Sequence, residues 1–583
     1  MPAGVKDLRI KNMYQKENNL FLIVLRAVPQ STITNTIYQI KLERFTKGII
    51  EMAVTMSNLN KKNTRIIIGN PGCGKTTKLI SELQKLYQEG TPLERIAYCS
   101  FSVAAIEEAV SRALKALKIS TDTSSTTSNT GSYKGKLIYF KTLHAMAFRL
   151  LGLDSSSLLS ETGMKDFARS QGLRITGDYI RKKGLPHRMT PGDKIMQIIG
   201  VSELCNKSIR DYMIENNIHD IPVNVVEKVA HNYKAFKILN SQYDYTDMLI
   251  MAKNTDIEVP ELDYLFIDEA QDLSSLQWIL VNKLASKAEH IVISGDDKQA
   301  INSFSGADVE TFLSLPGRVE TLKQSYRTPK LVYDIANKLV EKMTAYRKEG
   351  AIWKPRRIAG TYNIISSLPL DKIQKGGDWL ILARGGYQLQ TLAHELYKME
   401  ADQKPILFTL NNMPPVDLDA YAIMWLYKRA NKAAIKCLLS PPDSRTTPDQ
   451  VANKKKYQRI FSKFIRNAFP LEEAVNKEWH EIFVNEDPVK LRYLQKTYPL
   501  YEAYGDEIFK RATVRLMTIH SAKGREADNV IVYLNVPKTV SDTLRYDDSD
   551  TEIKVFYVAI TRAKQNLYLY QDKKQRYSYY DLI

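Results

Sequence analysis

Apolar positions along this chain fall into short continuous runs, glycine turns and stretches of helical spacing. Arg65-Ile66-Ile67-Ile68 predicts a short buried β-strand. The following TTKLISELQKLYQ spaces its apolar residues for an amphipathic helix. Residues 61–118 thus read strand, glycine loop, helix, strand, helix, the opening of a doubly wound α/β domain. Residues 145–240 read as mainly helical, and strand-like runs return at 263–267 and 290–294. A further α/β region spans about 318–385, followed by a helical, Lys-rich stretch of about 390–508. Strand signals resume at 513–519, 529–534 and 566–571. The pattern predicts two α/β domains, each carrying a mainly helical insertion, with no fixed-period repeat.

Other segments carry weaker signals. Ser120 to Ser132 is low-complexity and predicts a mobile surface loop. Residues 1–60 match no motif and predict a strand or two and a helix of unknown role; Met52 or Met56 would serve as an alternative start. No stretch is long enough to cross a bilayer, because the apolar run Leu20 to Val28 is short and broken by Arg26. A signal-peptide reading of that run, with Lys6, Arg9, Lys11 and Lys16 ahead of it, is set aside.

Composition narrows the partners. With 583 residues the chain has room for about four domains by the usual size rule. Hydrophobic content of 44% and charged content of 25% are ordinary for a soluble globular protein. The net charge of +18 favours a polyanionic partner, most simply nucleic acid. Cys73, Cys99, Cys205 and Cys437 are scattered without metal-ligand spacing, which predicts reduced thiols and an intracellular protein.

The chemistry starts at Gly69-Asn70-Pro71-Gly72-Cys73-Gly74-Lys75-Thr76, which fits G-x-x-x-x-G-K-[ST] at every fixed position. Glycines at 69, 72 and 74 let backbone N–H groups face a phosphate, and the helix opening at Lys75 adds a positive dipole end. Lys75 reaches the β- and γ-phosphates, the Thr76 hydroxyl ligates Mg²⁺, and Thr77 extends the loop. Residues 264–272, YLFIDEAQD, form an apolar strand ending in Asp268-Glu269. Such a carboxylate lies beside the glycine loop in these folds, so Asp268 predicts the second Mg²⁺ ligand and Glu269 the base that polarises water.

Read in order, the remaining motifs resemble the UvrD/Rep family of superfamily 1 helicases, which includes PcrA-like members. The resemblance covers about residues 64–340 and 375–400, then 511–571. CSFSVAAIEEAVSRAL from Cys99 is similar to T-F-T-x-x-A-A-x-E-M-x-x-R, and KTLHAMAFRLLG from Lys141 to G-T-F-H-S. YDYTDML from Tyr243 resembles D-F-x-D-L. These matches imply DNA contacts at Phe101, Thr142 and His144. SGDDKQAINSFSGA from Ser294 resembles G-D-D-D-Q-S-I-Y-x-W-R-G-A, which implies a γ-phosphate sensor at Gln299 and a base-stacking aromatic at Phe304. Lys298, Asn302 and Ser305 depart from the family's Asp, Tyr and Arg. LKQSYRTP from Leu322 implies adenine stacking by Tyr326 and a phosphate contact by Arg327. LMTIHSAKGREADNVIVY from Leu516 implies DNA contact or coupling at Thr518, His520 and Lys523, and a ribose contact at Glu526. VFYVAITRAKQNLYLY from Val555 implies an arginine finger at Arg562. The family's upstream adenine-reading Gln is missing, with Asn63 standing at its position.

The resemblance implies two RecA-like P-loop motor domains, 61–144 with 241–315 and 316–389 with 509–583, and helical insertions at 145–240 and 390–508. It implies an ATP- and Mg²⁺-dependent helicase or translocase on single-stranded or tailed duplex DNA, moving 3′→5′ in replication, repair or recombination. RNA is a less favoured substrate, and a protein loading partner is open. The alternative is a nucleic-acid-activated ATPase switch, or a translocase that displaces proteins with little unwinding, including in DNA defence. A dead DNA-binding scaffold is disfavoured by intact Lys75, Asp268, Glu269, Gln299, Arg327 and Arg562. A fused nuclease domain is not expected in the few residues after Arg562.

Overall fold

The computed structural model describes residues 57–59, 63–119, 137–176, 190–344, 346, 352–398, 404–443, 446–484, 486–546, 549–573 and 575–583. The expectations for residues 1–56 and for the Ser120–Ser132 loop, and the run Leu20 to Val28 with Met52 and Met56, lie outside them.

Strands β1 (Thr64–Gly69), β2 (Ile96–Ser100), β3 (Phe140–Thr142), β4 (Leu262–Asp268), β5 (Ala288–Gly295) and β6 (Arg318–Leu322) form one sheet, in the order β3-β2-β4-β5-β1-β6. All pairings are parallel, and Ile66 sits between Ile293 and Val319. Strands covered on both faces need continuous apolar runs, which is why Ile66–Ile68 and Leu265–Ile267 are fully buried. Helix α1 (Lys75–Gln88) buries Leu79, Ile80 and Leu83 on this sheet, and α2 (Val103–Ala116) starts at Ser102, whose hydroxyl accepts the Ala105 N–H.

β7 (Thr361–Ile365), β8 (Trp379–Ala383), β9 (Phe408–Leu410), β10 (Val514–Thr518), β11 (Ala527–Tyr533) and β12 (Ala563–Tyr570) form a second parallel sheet, in the order β7-β12-β11-β8-β10-β9. The two are α/β domains of the RecA-like, doubly wound kind. Two strands differ from expectation. Arg318–Leu322 does not open the second sheet; it lies along β1 and closes the first. Phe408–Leu410 is a strand inside the stretch expected to be helical, because three residues carry too little periodicity to signal one.

The two helical regions are built differently. In the first, Met164, Phe167, Ile195, Met196, Ile198, Ile199, Met213, Val226, Val229 and Tyr233 make a core of their own. Helix α3 (Pro191–Leu204) there opens with proline after a Thr190–Asp193 capping box. In the second, Tyr421, Ile460, Phe461, Tyr493 and Tyr498 share one continuous core with Trp379, Ile381, Leu516 and Ile531 of the sheet.

A buried cation ties the first helical region to the next helix of the chain. Lys237 of α4 (Val223–Leu239) is 4% exposed, and its amine lies 2.7 Å from both Asp244 and Asp247 at the start of α5 (Tyr245–Asn254). Lys237→Ala leaves two carboxylates facing each other, so the unfolding free energy should fall by about 3–5 kcal/mol in a denaturant titration. A loss below about 1 kcal/mol, the size of a surface pair, would show that the cluster carries little weight.

Candidate nucleotide site and nucleic-acid face

The glycine loop joins β1 to α1. Gly72 and Gly74 adopt φ of 72° and 80°, a left-handed conformation open to glycine at little cost. Lys75 is 8% exposed, and its amine donates to Gly69 O at 2.9 Å, back across its own loop. The Thr76 hydroxyl donates to Asp268 Oδ2 at 2.7 Å, so the two predicted Mg²⁺ ligands already touch. Tyr98 donates to the same oxygen at 2.7 Å, while Ser294 and the Glu269 N–H donate to Oδ1. This set of hard oxygens in a left-handed glycine cradle fits a Mg²⁺–nucleotide. Among the described residues no cluster of three or more His, Cys, Asp or Glu side chains is arranged to hold a metal. A Mg²⁺ here would therefore lean on nucleotide oxygens as well as on Thr76 and Asp268.

Glu269 follows at φ 53°, a left-handed turn that lifts its carboxylate out of the strand line. Burial pushes its pKa up, but Lys75, Lys523, the Gln271 side chain and Arg562 outweigh that and lower it to about 2. The Gln271 amide donates to Glu269 Oε2 at 2.5 Å. These neighbours favour the ionised form of the Glu269 carboxylate.

Residues that follow β6 and the arginine that precedes β12 complete the cleft. Arg562 is 1% exposed; its guanidinium donates to Gln299 Oε1 at 2.6 Å and to Val558 O at 2.9 Å. Burial, then the Arg327 charge, lowers its pKa to about 9. Gln299 in turn donates to Asp296 Oδ2 at 2.6 Å. Arg327 pairs with Glu526. Its backbone lies so close to the loop that a Cβ on Gly72 would sit 2.3 Å from the Arg327 Cβ. The Ser325 hydroxyl donates to Pro71 O at 2.7 Å, and the Tyr326 N–H to Gly72 O at 2.9 Å. The Tyr326 ring is 72% exposed, open for stacking beside the loop. Cys73 is buried among side chains of the second domain, and burial pushes its thiol up to about 12. Asn70 is buried, and Tyr557 approaches its Oδ1 at 3.5 Å. Thr77 accepts from Arg112 at 3.2 Å.

Of the two roles expected of Lys523, DNA contact or coupling, its bonds are those of a coupling residue. Its amine lies 2.7 and 2.6 Å from the Asp272 oxygens and bonds Gln299 O, so it links the two domains. Phe304 is 50% exposed, with its ring edge-on to His520 at 5.2 Å. The Thr518 hydroxyl donates to Ser521 at 2.9 Å. Phe101 is half-buried, Thr142 caps the helix that begins after it, and the His144 ring packs edge-on to Tyr245. The three departures fall beneath Phe304. Asn302 donates to Asp272 at 3.0 Å, and Ser305 donates to Asn302 O at 2.8 Å. Lys298 is fully buried 3.6 Å from Asp296 and 3.9 Å from Asp297. Asn63 donates to Glu289 O at 3.2 Å, at the start of β5.

Tyr98, Ser294, Gln271, Asp272 and Asn302 all support the site without having been predicted members. Gln271 and Asp272 stand inside the Asp-Glu motif, and Ser294 and Asn302 inside the Gln299 motif, so those four had a signal in the sequence. Tyr98 had none beyond its place in β2.

Two family models match the chain. The UvrD/REP helicase N-terminal domain covers residues 52–320, and the UvrD-like helicase C-terminal domain covers 418–574. The ATP-dependent DNA helicases PcrA of Staphylococcus epidermidis and Staphylococcus aureus are 24% identical over 233 residues, 38% of this chain. That match spans 32% of those relatives, about a third of their length. Among solved structures, an arterivirus nonstructural protein 10 helicase with DNA aligns over 89% of this chain and 63% of its own, at 9% identity and a TM-score of 0.32.

His520 supplies a pH test. Burial, then the Arg384 and Lys523 charges, lowers its pKa to about 3 from an ordinary 6.5. The unfolded chain then binds the extra proton first, so its contribution is fully present above about pH 6.5 and is lost as pH falls toward 3. Thermal midpoints should drop over that window, and His520→Asn should shallow the drop. An unchanged pH slope in the variant would mean His520 is not held neutral.

Proposed function

The chain belongs to the UvrD/REP family of helicases, and we propose from that premise that it is an ATP-dependent DNA motor that tracks along single-stranded DNA. The observation that carries this reading is the bond from Arg562 to Gln299, with Lys75 and Glu269 in the same charged cluster. Mg²⁺–ATP brings the phosphoryl group and the metal charge that Thr76 and Asp268 would hold. Lys75 exchanges its bond to Gly69 O for phosphate oxygens. Glu269 orients the attacking water and draws its proton. Arg562 and Arg327 supply charge to the phosphates from the second domain, so the site is complete only when that domain is seated. Gln299 touches Arg562 through its side chain and Lys523 through its carbonyl. It therefore stands where a change at the phosphates reaches both domains.

Phe304, Thr518 and His520 serve as the DNA face, with Phe101, Thr142 and His144 as further contacts. A strand lying across both domains is then gripped alternately as the cleft closes and reopens. The TIHSAKG and FYVAITRA strings favour 3′→5′ travel and opening of 3′-tailed duplexes. The work belongs to replication, repair or recombination inside the cell. Among the described residues no helix is long and apolar enough to cross a membrane.

Turnover variants test the chemistry. Lys75→Ala should lose nucleotide binding, and Glu269→Gln should bind ATP without hydrolysing it. Arg562→Ala should slow hydrolysis by about 10³–10⁵ while sparing DNA binding without nucleotide. Near-normal turnover in Glu269→Gln, or lost DNA binding with normal turnover in Arg562→Ala, would remove the respective role.

Polarity needs a separate assay. A fluorescent duplex with a 3′ tail should open in ATP and a 5′-tailed one should stay closed. ATPase stimulation without opening of either would favour the protein-displacing alternative.

A further inference from the structure

Asp268 draws hydrogen-bond donors from four places in the chain. It is 2% exposed at the carboxyl end of β4. Thr76, in the first turn of α1, and Tyr98 of β2 each donate a hydroxyl to Oδ2 at 2.7 Å. Ser294, fully buried in β5, and the Glu269 N–H donate to Oδ1. A carboxylate offers about four lone-pair sites, so these donors fill them.

Of the four donors, Tyr98 is the one to which no motif gives a role. It stands one residue ahead of the CSFSVAAIEEAVSRAL stretch. In register it lies between Phe140 of β3 and Phe266 of β4. Its ring stacks on Phe140 with centroids 5.3 Å and planes 17° apart, and it tilts against Phe266 at 6.3 Å. The side chain is fully buried, and its hydroxyl meets a residue two positions further along β4 than its register partner. The phenol thus runs along the sheet toward the carboxyl edge, and close packing leaves the ring little room to swing aside. Thr76 can keep its proton on Asp268 while its oxygen serves a cation. The Tyr98 hydroxyl instead occupies a site on Oδ2 that a cation would otherwise take. Cations differ in how much that matters. Mg²⁺ dehydrates reluctantly and keeps several waters, whereas Ca²⁺ takes more oxygen ligands in looser geometry, carboxylates among them. A carboxylate with its sites filled can still accept from the waters of Mg²⁺ by sharing a site, but it has none to give Ca²⁺ directly.

We propose that Tyr98 determines metal specificity: by keeping Oδ2 of Asp268 occupied, it biases the nucleotide site toward Mg²⁺ and against Ca²⁺. The proposal rests on the reading of this cleft as a Mg²⁺–ATP site. Tyr98 acts through Asp268, so it is a positioning residue and not a catalytic one.

The test follows binding of fluorescent mant-ADP to the full chain while Mg²⁺ or Ca²⁺ is titrated in at fixed nucleotide, so that no turnover is needed. In the parent, Mg²⁺ should support binding at a lower concentration than Ca²⁺. Tyr98→Phe removes the hydroxyl and keeps the stacked ring. Its half-saturating Ca²⁺ should fall about tenfold, the size of one hydrogen bond to a charged group, while half-saturating Mg²⁺ should move by less than about threefold. Phe140→Leu loosens the stack and keeps the hydroxyl, so it should lower the thermal midpoint and leave the metal preference as in the parent. A parent without preference for Mg²⁺, or a parent-like Ca²⁺ to Mg²⁺ ratio in Tyr98→Phe, would overturn the proposal. So would an equal shift in Phe140→Leu, because loosening of β2 would then be the cause. Loss of binding with both metals in Tyr98→Phe would overturn it too, since the hydroxyl would then hold the site together and not sort cations. Each of these results leaves the proposed function standing, because the parent still binds the nucleotide. A parent that binds no mant-ADP with either metal would overturn both.

Discussion

Much of this molecule is organised around a buried guanidinium that, among the described residues, has no carboxylate hydrogen-bonded to it. Arg562 is almost wholly buried, yet its hydrogen bonds go to neutral oxygens of Val558, Gln299, Thr561 and Arg525. Taking such a charge from water costs several kcal/mol unless an anion compensates. Its two neighbours differ: Arg327 is paired with Glu526, and Lys523 with Asp272. The same cleft therefore holds two ion-paired cations and two, Arg562 and Lys75, whose hydrogen bonds go to neutral oxygens, with Glu269 the carboxylate whose charge acts on both. An anionic ligand beside Arg562 would relieve that cost, and the relief exists only while the second domain is seated.

The two helical regions are anchored differently. The second shares a continuous core with its sheet, so its helices move with the sheet as a body. The first has a separate core and is tied to the following helix through Lys237, Asp244 and Asp247. It also touches the aromatic loop, because a Cβ on Gly306 would lie 3.2 Å from Leu204 at the end of α3. Displacement of that region would therefore be felt next to Phe304.

Much of this was legible in the sequence where a chemical need fixes both residue type and spacing. The glycine loop, the Asp-Glu pair and the arginines are such cases, and the structure gathers them at one cleft. Contacts that depend on tertiary placement were not legible. β6 was misassigned because an edge strand's partner is set by topology, which local periodicity does not carry. Lys523 reads from sequence as either a DNA contact or a coupling residue, and only the fold brings its amine to Asp272 and the Gln299 carbonyl. Tyr98 reads only as a strand residue until the fold sets its hydroxyl on Asp268.

The departures from the family pattern then take on a physical sense. Asn302 and Ser305 are shorter than the residues they replace, and each is satisfied locally beneath Phe304. Lys298 turns an acidic position into a cation held between Asp296 and Asp297. Asp296 also receives the Gln299 amide, so Lys298 balances charge at the foot of the Arg562–Gln299 link. Asn302 and Ser305 thus spend their polar groups on bonds within the protein. A neutral His520 behind the ring adds no charge either. Grip near this loop must then come from stacking and from cations further along the strand. On the proposed reading, a chain of net charge +18 can supply those cations.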